Sequence, residues 1–335
     1  MKQREPVYDV MKGIGIILML VGHMPIGDRA FRIIYSFHMP LFFLIAGVFA
    51  DLNLKSGIKI GLKKDFKRLV LPVFVTMLFV AALSPLVFFV GGGINNVIKQ
   101  LLSMLWLGDA FVTKWGKLNI DSLWFLMALF WGRFLFRCIG RLFEGIRKWH
   151  DEIILLCCIL LSILAIFLHK VLPPIPWGVL LGLSALQFYA IGWYLKQHKQ
   201  PRWLYVVFFV VWLFALEYGG VNMVKYYYRC YPLDVLGAIG ATWLVYLVSK
   251  AICTYTVKTN KLFRWFGVNS LAILCVNTLD RKTHLVRAIK HVLGINLIGM
   301  NSVLFHYAIE AVLVIVLVSI PFFRRIYGAK QWKEI

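Results

Sequence analysis

The sequence predicts an all-α, polytopic transmembrane helical bundle of about ten spans, and three observations carry that prediction. Hydrophobic residues make up 61% of the 335-residue chain and charged residues 16%, with a mean hydropathy of +0.77, far more apolar than a soluble domain. Apolar segments recur at lengths close to the roughly 20 residues that carry a helix across a bilayer core. The alternating segments that would build a membrane barrel are absent. With no linker or low-complexity tract between the apolar segments, residues 1–335 read as one integral membrane domain without a soluble second domain.

The ten expected spans are 7–24, 31–50, 69–90, 120–139, 153–172, 177–195, 203–219, 232–253, 265–280 and 302–323. An even count puts both termini on one side. Roughly two thirds of the 37 Lys and Arg residues then fall on that side, which the positive-inside rule makes cytoplasmic. The first segment follows a basic N-terminus as a signal peptide does. It contains Asp9 and lacks a small-residue cleavage site, so it reads as a retained span. Between spans, residues 52–68 alternate lysines with Ile and Leu as an amphipathic interfacial helix does, and 94–107 and 284–299 look similar.

The net charge of +22 does not indicate nucleic acid, because the basic residues punctuate the spans and form no single stripe; membrane orientation accounts for them. The six cysteines lie in or beside apolar segments without CxxC spacing and read as reduced packing residues.

Chemistry-bearing side chains concentrate in the first two spans, as Asp9, Lys12, His23 and His38. Such groups are costly in hydrocarbon unless paired or functional. Lys12 and His23 are eleven residues apart, three helical turns, so one face carries both about 16 Å apart. His38, early in the returning span, comes to the depth of His23. A neutral imidazole there can take a proton from a hydroxyl. Plainer readings stand beside this one: His23 as an interfacial helix-end residue, His38 satisfied by Ser36, and Asp9 with Lys12 as an i, i+3 ion pair.

Lys64, Lys67 and Arg68 belong to a basic cluster that feeds into the third span. It is either an ordinary positive-inside anchor or a site for the phosphates of a cytosolic anion. Asp121, at the start of the fourth span, reads as an N-cap. Glu310 lies well inside the last span beside His306, where a carboxylate is a functional candidate by default. Asp234, Asn269 and Asn277 read as polar contacts between helices.

Four blocks in order carry a resemblance: D-x-x-K-G-I-x-I-x-L-x-x-V-G-H from Asp9 to His23, S-F-H-M-P-L-F-F-L-I-A-G from Ser36 to Gly47, K-R-L-V-L-P from Lys67 to Pro72, and S-L-W-F-L from Ser122 to Leu126. They resemble the acyltransferase 3 family of membrane acyltransferases, particularly its fucose 4-O-acetylase-like branch. The resemblance is sharp over residues 5–130. Later, Phe266 to Leu271 is similar to the family's G-x-x-S-L block, and Asn277 stands near the place where relatives often have histidine.

The resemblance implies transfer of an acyl group, usually acetyl from cytosolic acetyl-CoA, to a hydroxyl of an envelope polysaccharide or lipid-linked sugar at a bacterial inner membrane. It puts the essential histidine on His23, the embedded basic residue on Lys12, the basic pair before the third span on Lys64 to Arg68, and Trp124 in a family block. In the mechanism this suggests, His23 deprotonates the acceptor, and His38 or a main-chain amide at a helix break stabilises the oxyanion. No metal is expected. The rival class is a secondary transporter of an anionic metabolite or a lipid-linked glycan. Transporters usually show two related halves with matching broken helices, and no such duplication is visible here.

Overall fold

The computed structural model describes residues 5–50, 52, 57–84, 94–108, 111–114, 116–146, 148–198, 200–295 and 297–335. The helices are α1 (Pro6–Gly22), α2 (Asp28–Tyr35), α3 (His38–Val48), α4 (Gly57–Asp65), α5 (Leu71–Leu83), α6 (Ile94–Trp106), α7 (Trp124–Leu142), α8 (His150–Val171), α9 (Val179–Gln197), α10 (Arg202–Tyr218), α11 (Tyr231–Tyr255), α12 (Val257–Val268), α13 (Ser270–Thr283), α14 (Leu285–Val292), α15 (Gly299–Ser319) and α16 (Pro321–Tyr327). Two short antiparallel hairpins, β1 (Phe111–Thr113) with β2 (Gly116–Leu118) and β3 (Val221–Asn222) with β4 (Tyr227–Tyr228), sit in loops. The sequence offered no strand signal for either.

The all-α membrane class holds. Among the described residues, seven helical runs are long and apolar enough to cross a bilayer, or eight if α12 and α13, broken at Asn269, form one span. The other two expected spans fall on α1 and α10, each of 17 residues. That makes each about 26 Å long, at the short end of what a bilayer core accepts.

The chain divides into two compact units, one of residues 1–64, 128–173 and 179–267, the other of 65–127, 174–178 and 268–335. In the first unit α3 packs against α9, α8 against α9, and α10 against α11, with α1 seated on α3 and α11. Glycines let backbones meet at several helix crossings. A Cβ at Gly47 would land on the Tyr189 carbonyl, and one at Gly267 on the Asp9 carbonyl. Close approach through small residues replaces the hydrophobic drive that lipid cannot supply. Polar side chains supply the rest. Ser162 of α8 donates to the Leu183 carbonyl and accepts from the Gln187 N–H of α9, and Asp234 accepts from the N–H groups of Gly220 and Cys230, closing the loop before α11.

In the second unit α5 packs on α6 and α13, and α13 on α15. Residues Phe66–Val70 form a π-helical turn between α4 and α5. Pro72 lacks an N–H and crowds the carbonyl four residues back, at Arg68, which favours widening the preceding turn. Asn269 bonds both the N–H and the carbonyl of Lys330, anchoring the C-terminal segment.

Candidate active site

The four residues singled out in the first two spans are all in the first unit, and they separate into two pairs. At the start of α1, Lys12 Nζ bonds Asp9 Oδ1 at 2.9 Å; the Asp9 side chain is buried and that of Lys12 is only 19% exposed. The i, i+3 ion pair therefore forms. It lies where α12 crosses α1, since the Gly267 position abuts the Asp9 carbonyl.

Three turns further on, His23 caps the C-terminal end of α1, its backbone N–H donating to the Leu20 carbonyl and that of Met24 to the Val21 carbonyl, with its Nε2 buried. The chain turns through α2, and His38 opens α3, 4% exposed. Its Nδ1 lies 2.8 Å from the Ile34 carbonyl. A carbonyl only accepts, so Nδ1 donates, and the neutral ring then carries its lone pair on Nε2. The Tyr35 ring packs edge-on against His38, with centroids 4.7 Å apart, and a Cβ at Gly22 would stand 3.1 Å from that ring.

This geometry changes two expectations for His38. Ser36 does not satisfy it; the Ser36 hydroxyl donates to the Ile33 carbonyl and accepts from Trp212 Nε1 at 2.9 Å. Nor can the neutral ring supply an oxyanion hydrogen bond, because its one N–H is held by Ile34. His38 is built as a proton acceptor.

Lys64, on α4 of the first unit, is exposed, as are Lys67 and Arg68 in the π-helical turn of the second. Sequence reasoning missed Arg137. It lies on α7, and its guanidinium packs on α4 where Gly61 has no side chain; a Cβ there would be 3.0 Å from Cζ. Two arginines, Arg133 and Arg137, inside an otherwise apolar span were the available signal.

In the second unit, Asp121 is not the expected N-cap. Ile120 holds that place without a side-chain cap bond, and Asp121 adopts a positive φ of 50°. Its carboxylate accepts from Arg281 Nε at 3.2 Å and from Ser122. Trp124 opens α7 and meets Phe125 edge-on. Glu310 is buried, and both its oxygens accept from Asn277 Nδ2, at 3.1 and 3.2 Å. His306 Nε2 lies 3.5 Å from Glu310 and 2.8 Å from Asp280, which is also buried. Asp280 was not among the residues expected from the sequence.

Apolar membrane-length helices with acids, bases and histidines held between them define a multi-pass membrane protein built to do chemistry. The model of the acyltransferase domain matches residues 6–324, nearly the whole chain, and the chain belongs to the acyltransferase 3 family. It is thus a membrane acyltransferase. No curated protein and no solved structure matches it.

Proposed function

We propose that this acyltransferase moves an acetyl group from cytosolic acetyl-CoA to a hydroxyl of an envelope polysaccharide or lipid-linked sugar, at a bacterial inner membrane with both termini cytoplasmic. The observation that carries the reading is a buried His38, opening α3, whose tautomer is fixed by the Ile34 carbonyl. An imidazole at the C-terminal end of α1 and another at the start of α3, the second with its lone pair on Nε2, suit removal of a hydroxyl proton.

His23 takes the acceptor's proton, and His38 Nε2 accepts a second hydrogen bond that orients the sugar. The alkoxide attacks the thioester carbonyl, and collapse of the tetrahedral intermediate expels the CoA thiolate, which is then protonated. With His38 reserved as an acceptor, the oxyanion falls to the main-chain amides that open α3, since those of Ser36 and Phe37 already donate to the Arg32 and Ile34 carbonyls; such a role is worth roughly 3 to 4 kcal/mol in acyl transfer. Lys64 and Arg137 bind donor phosphates, since guanidinium and ammonium groups both make strong charge-assisted bonds to them. Lys67 and Arg68 keep the role expected from the sequence, binding of the donor's phosphates. The Asp9–Lys12 pair holds the inner end of α1 in place.

The test is transfer of labelled acetyl from acetyl-CoA to extracted envelope glycan by protein in lipid nanodiscs. The proposal expects glycan-dependent label. Consumption of acetyl-CoA with no label in any glycan or lipid-linked sugar would overturn the acceptor class.

A further inference from the structure

Asp280, His306 and Glu310 present one ligand atom each within 4.8 Å of one another, two of them on buried carboxylates. Asp280 comes from α13, while His306 and Glu310 are one turn apart on α15, so the group joins two packed helices of the second unit. The same imidazole nitrogen, Nε2, faces both carboxylates, at 2.8 and 3.5 Å. A lone pair there would be repelled by both acids, so the nitrogen carries either a proton or a metal ion. A proton makes one good hydrogen bond and leaves the group with a net charge of about −1, costly when buried. A divalent cation bound to a neutral imidazole and two carboxylates leaves none.

The spacing suits a metal. Ligand atoms about 2.1 Å from one ion, at angles between octahedral and tetrahedral, stand roughly 3.0 to 3.4 Å apart, and the edges from Nε2, 2.8 and 3.5 Å, bracket that range while all three atoms lie within 4.8 Å. Asn277 adds an independent sign. It is 2% exposed, its Nδ2 donates to Glu310, and its Oδ1 is buried without a hydrogen-bond partner. Flipping the amide would set oxygen against carboxylate, so the orphan acceptor is forced by the cluster. An orphaned buried acceptor beside a ligand set calls for a cation or an ordered water.

We propose that Asp280, His306 and Glu310, the last oriented by the Asn277 amide N–H, form a binding site for one first-row divalent cation that pins α13 to α15. One nitrogen and several oxygens select the Mn2+ to Zn2+ series over thiophilic ions. The proposal replaces the sequence expectation of no metal, and it does not depend on the identity of donor or acceptor.

The test uses full-length protein in nanodiscs, stripped with EDTA and titrated with Co2+, read by visible absorption and by cobalt content per chain. The control is His198→Ala. His150 and His198 bond opposite oxygens of Asp151 at 2.9 and 3.0 Å, an ordinary ion-paired cluster elsewhere in the chain that could take up Co2+ adventitiously. The expected result is one Co2+ per chain with visible bands, a melting temperature raised by the ion, and loss of both in Asp280→Asn and in the isosteric Glu310→Gln, but not in His198→Ala. Wild-type protein that takes up no Co2+ overturns the proposal whether or not the variants fold. So does uptake that survives Glu310→Gln and disappears in His198→Ala.

Discussion

His38 and His306 are both histidines on apolar helices, and the structure treats them in opposite ways. His38 is held by one backbone carbonyl through Nδ1, which leaves Nε2 as a proton acceptor. His306 turns Nε2 toward two buried carboxylates, one of them held by an amide. The first arrangement keeps a lone pair available for chemistry; the second commits its nitrogen to buried carboxylates, where it holds a proton or a metal ion. A histidine inside a membrane helix is therefore not one signal. What its second nitrogen touches decides whether it reacts or stabilises.

The contrast breaks most directly at His23 and His38. His23→Ala is expected to lower acetyl transfer by about 10²-fold or more, the usual worth of a positioned base, while the melting temperature stays near wild type. His38→Asn keeps a donor for the Ile34 carbonyl but loses the Nε2 lone pair; transfer should fall while folding is retained. Full transfer by His38→Asn would return that residue to a structural role. In the acidic cluster the effects reverse in kind. His306→Ala removes the imidazole that two buried carboxylates share and is expected to cost roughly 3 kcal/mol of stability, read as a lowered midpoint of thermal unfolding. An unchanged midpoint would show that the cluster is hydrated rather than buried.

A smaller effect tests the frame that carries the first pair. Gly267→Ala places a methyl on the Asp9 carbonyl where α12 crosses α1, and overpacking of this kind costs about 1 to 3 kcal/mol. The smallest concerns the donor. Arg137→Ala is expected to raise the KM for acetyl-CoA about ten-fold, the loss of one charge-assisted contact, with kcat little changed. An unchanged KM would remove Arg137 from the donor site.

The membrane class was legible because hydropathy integrates over whole spans, and the Asp9–Lys12 pair because i, i+3 spacing within one helix needs no tertiary knowledge. The family blocks likewise lie within short stretches. What stayed hidden needs contact between elements. Asp280 and His306 are separated in sequence by α14, and nothing in either stretch announces that α13 and α15 pack together. Arg137 looked like one of many basic residues until Gly61 was seen to admit its guanidinium. The partner of His38 was misjudged because Ser36 is the nearer polar side chain, whereas the helical turn preceding α3 offers the Ile34 carbonyl. Asp121 resembled an N-cap in sequence, but its carboxylate is taken by Arg281, about 160 residues away.

The central claim is that His23 is the base of an acyl transfer to an envelope sugar. The measurement that tests it most directly follows labelled acetyl from acetyl-CoA into extracted glycan, with wild type and His23→Ala in matched nanodiscs, each first shown to be folded by its unfolding midpoint. The account predicts label in glycan with the wild type and at least a hundred-fold less with the variant. Equal labelling by a folded His23→Ala protein would contradict it.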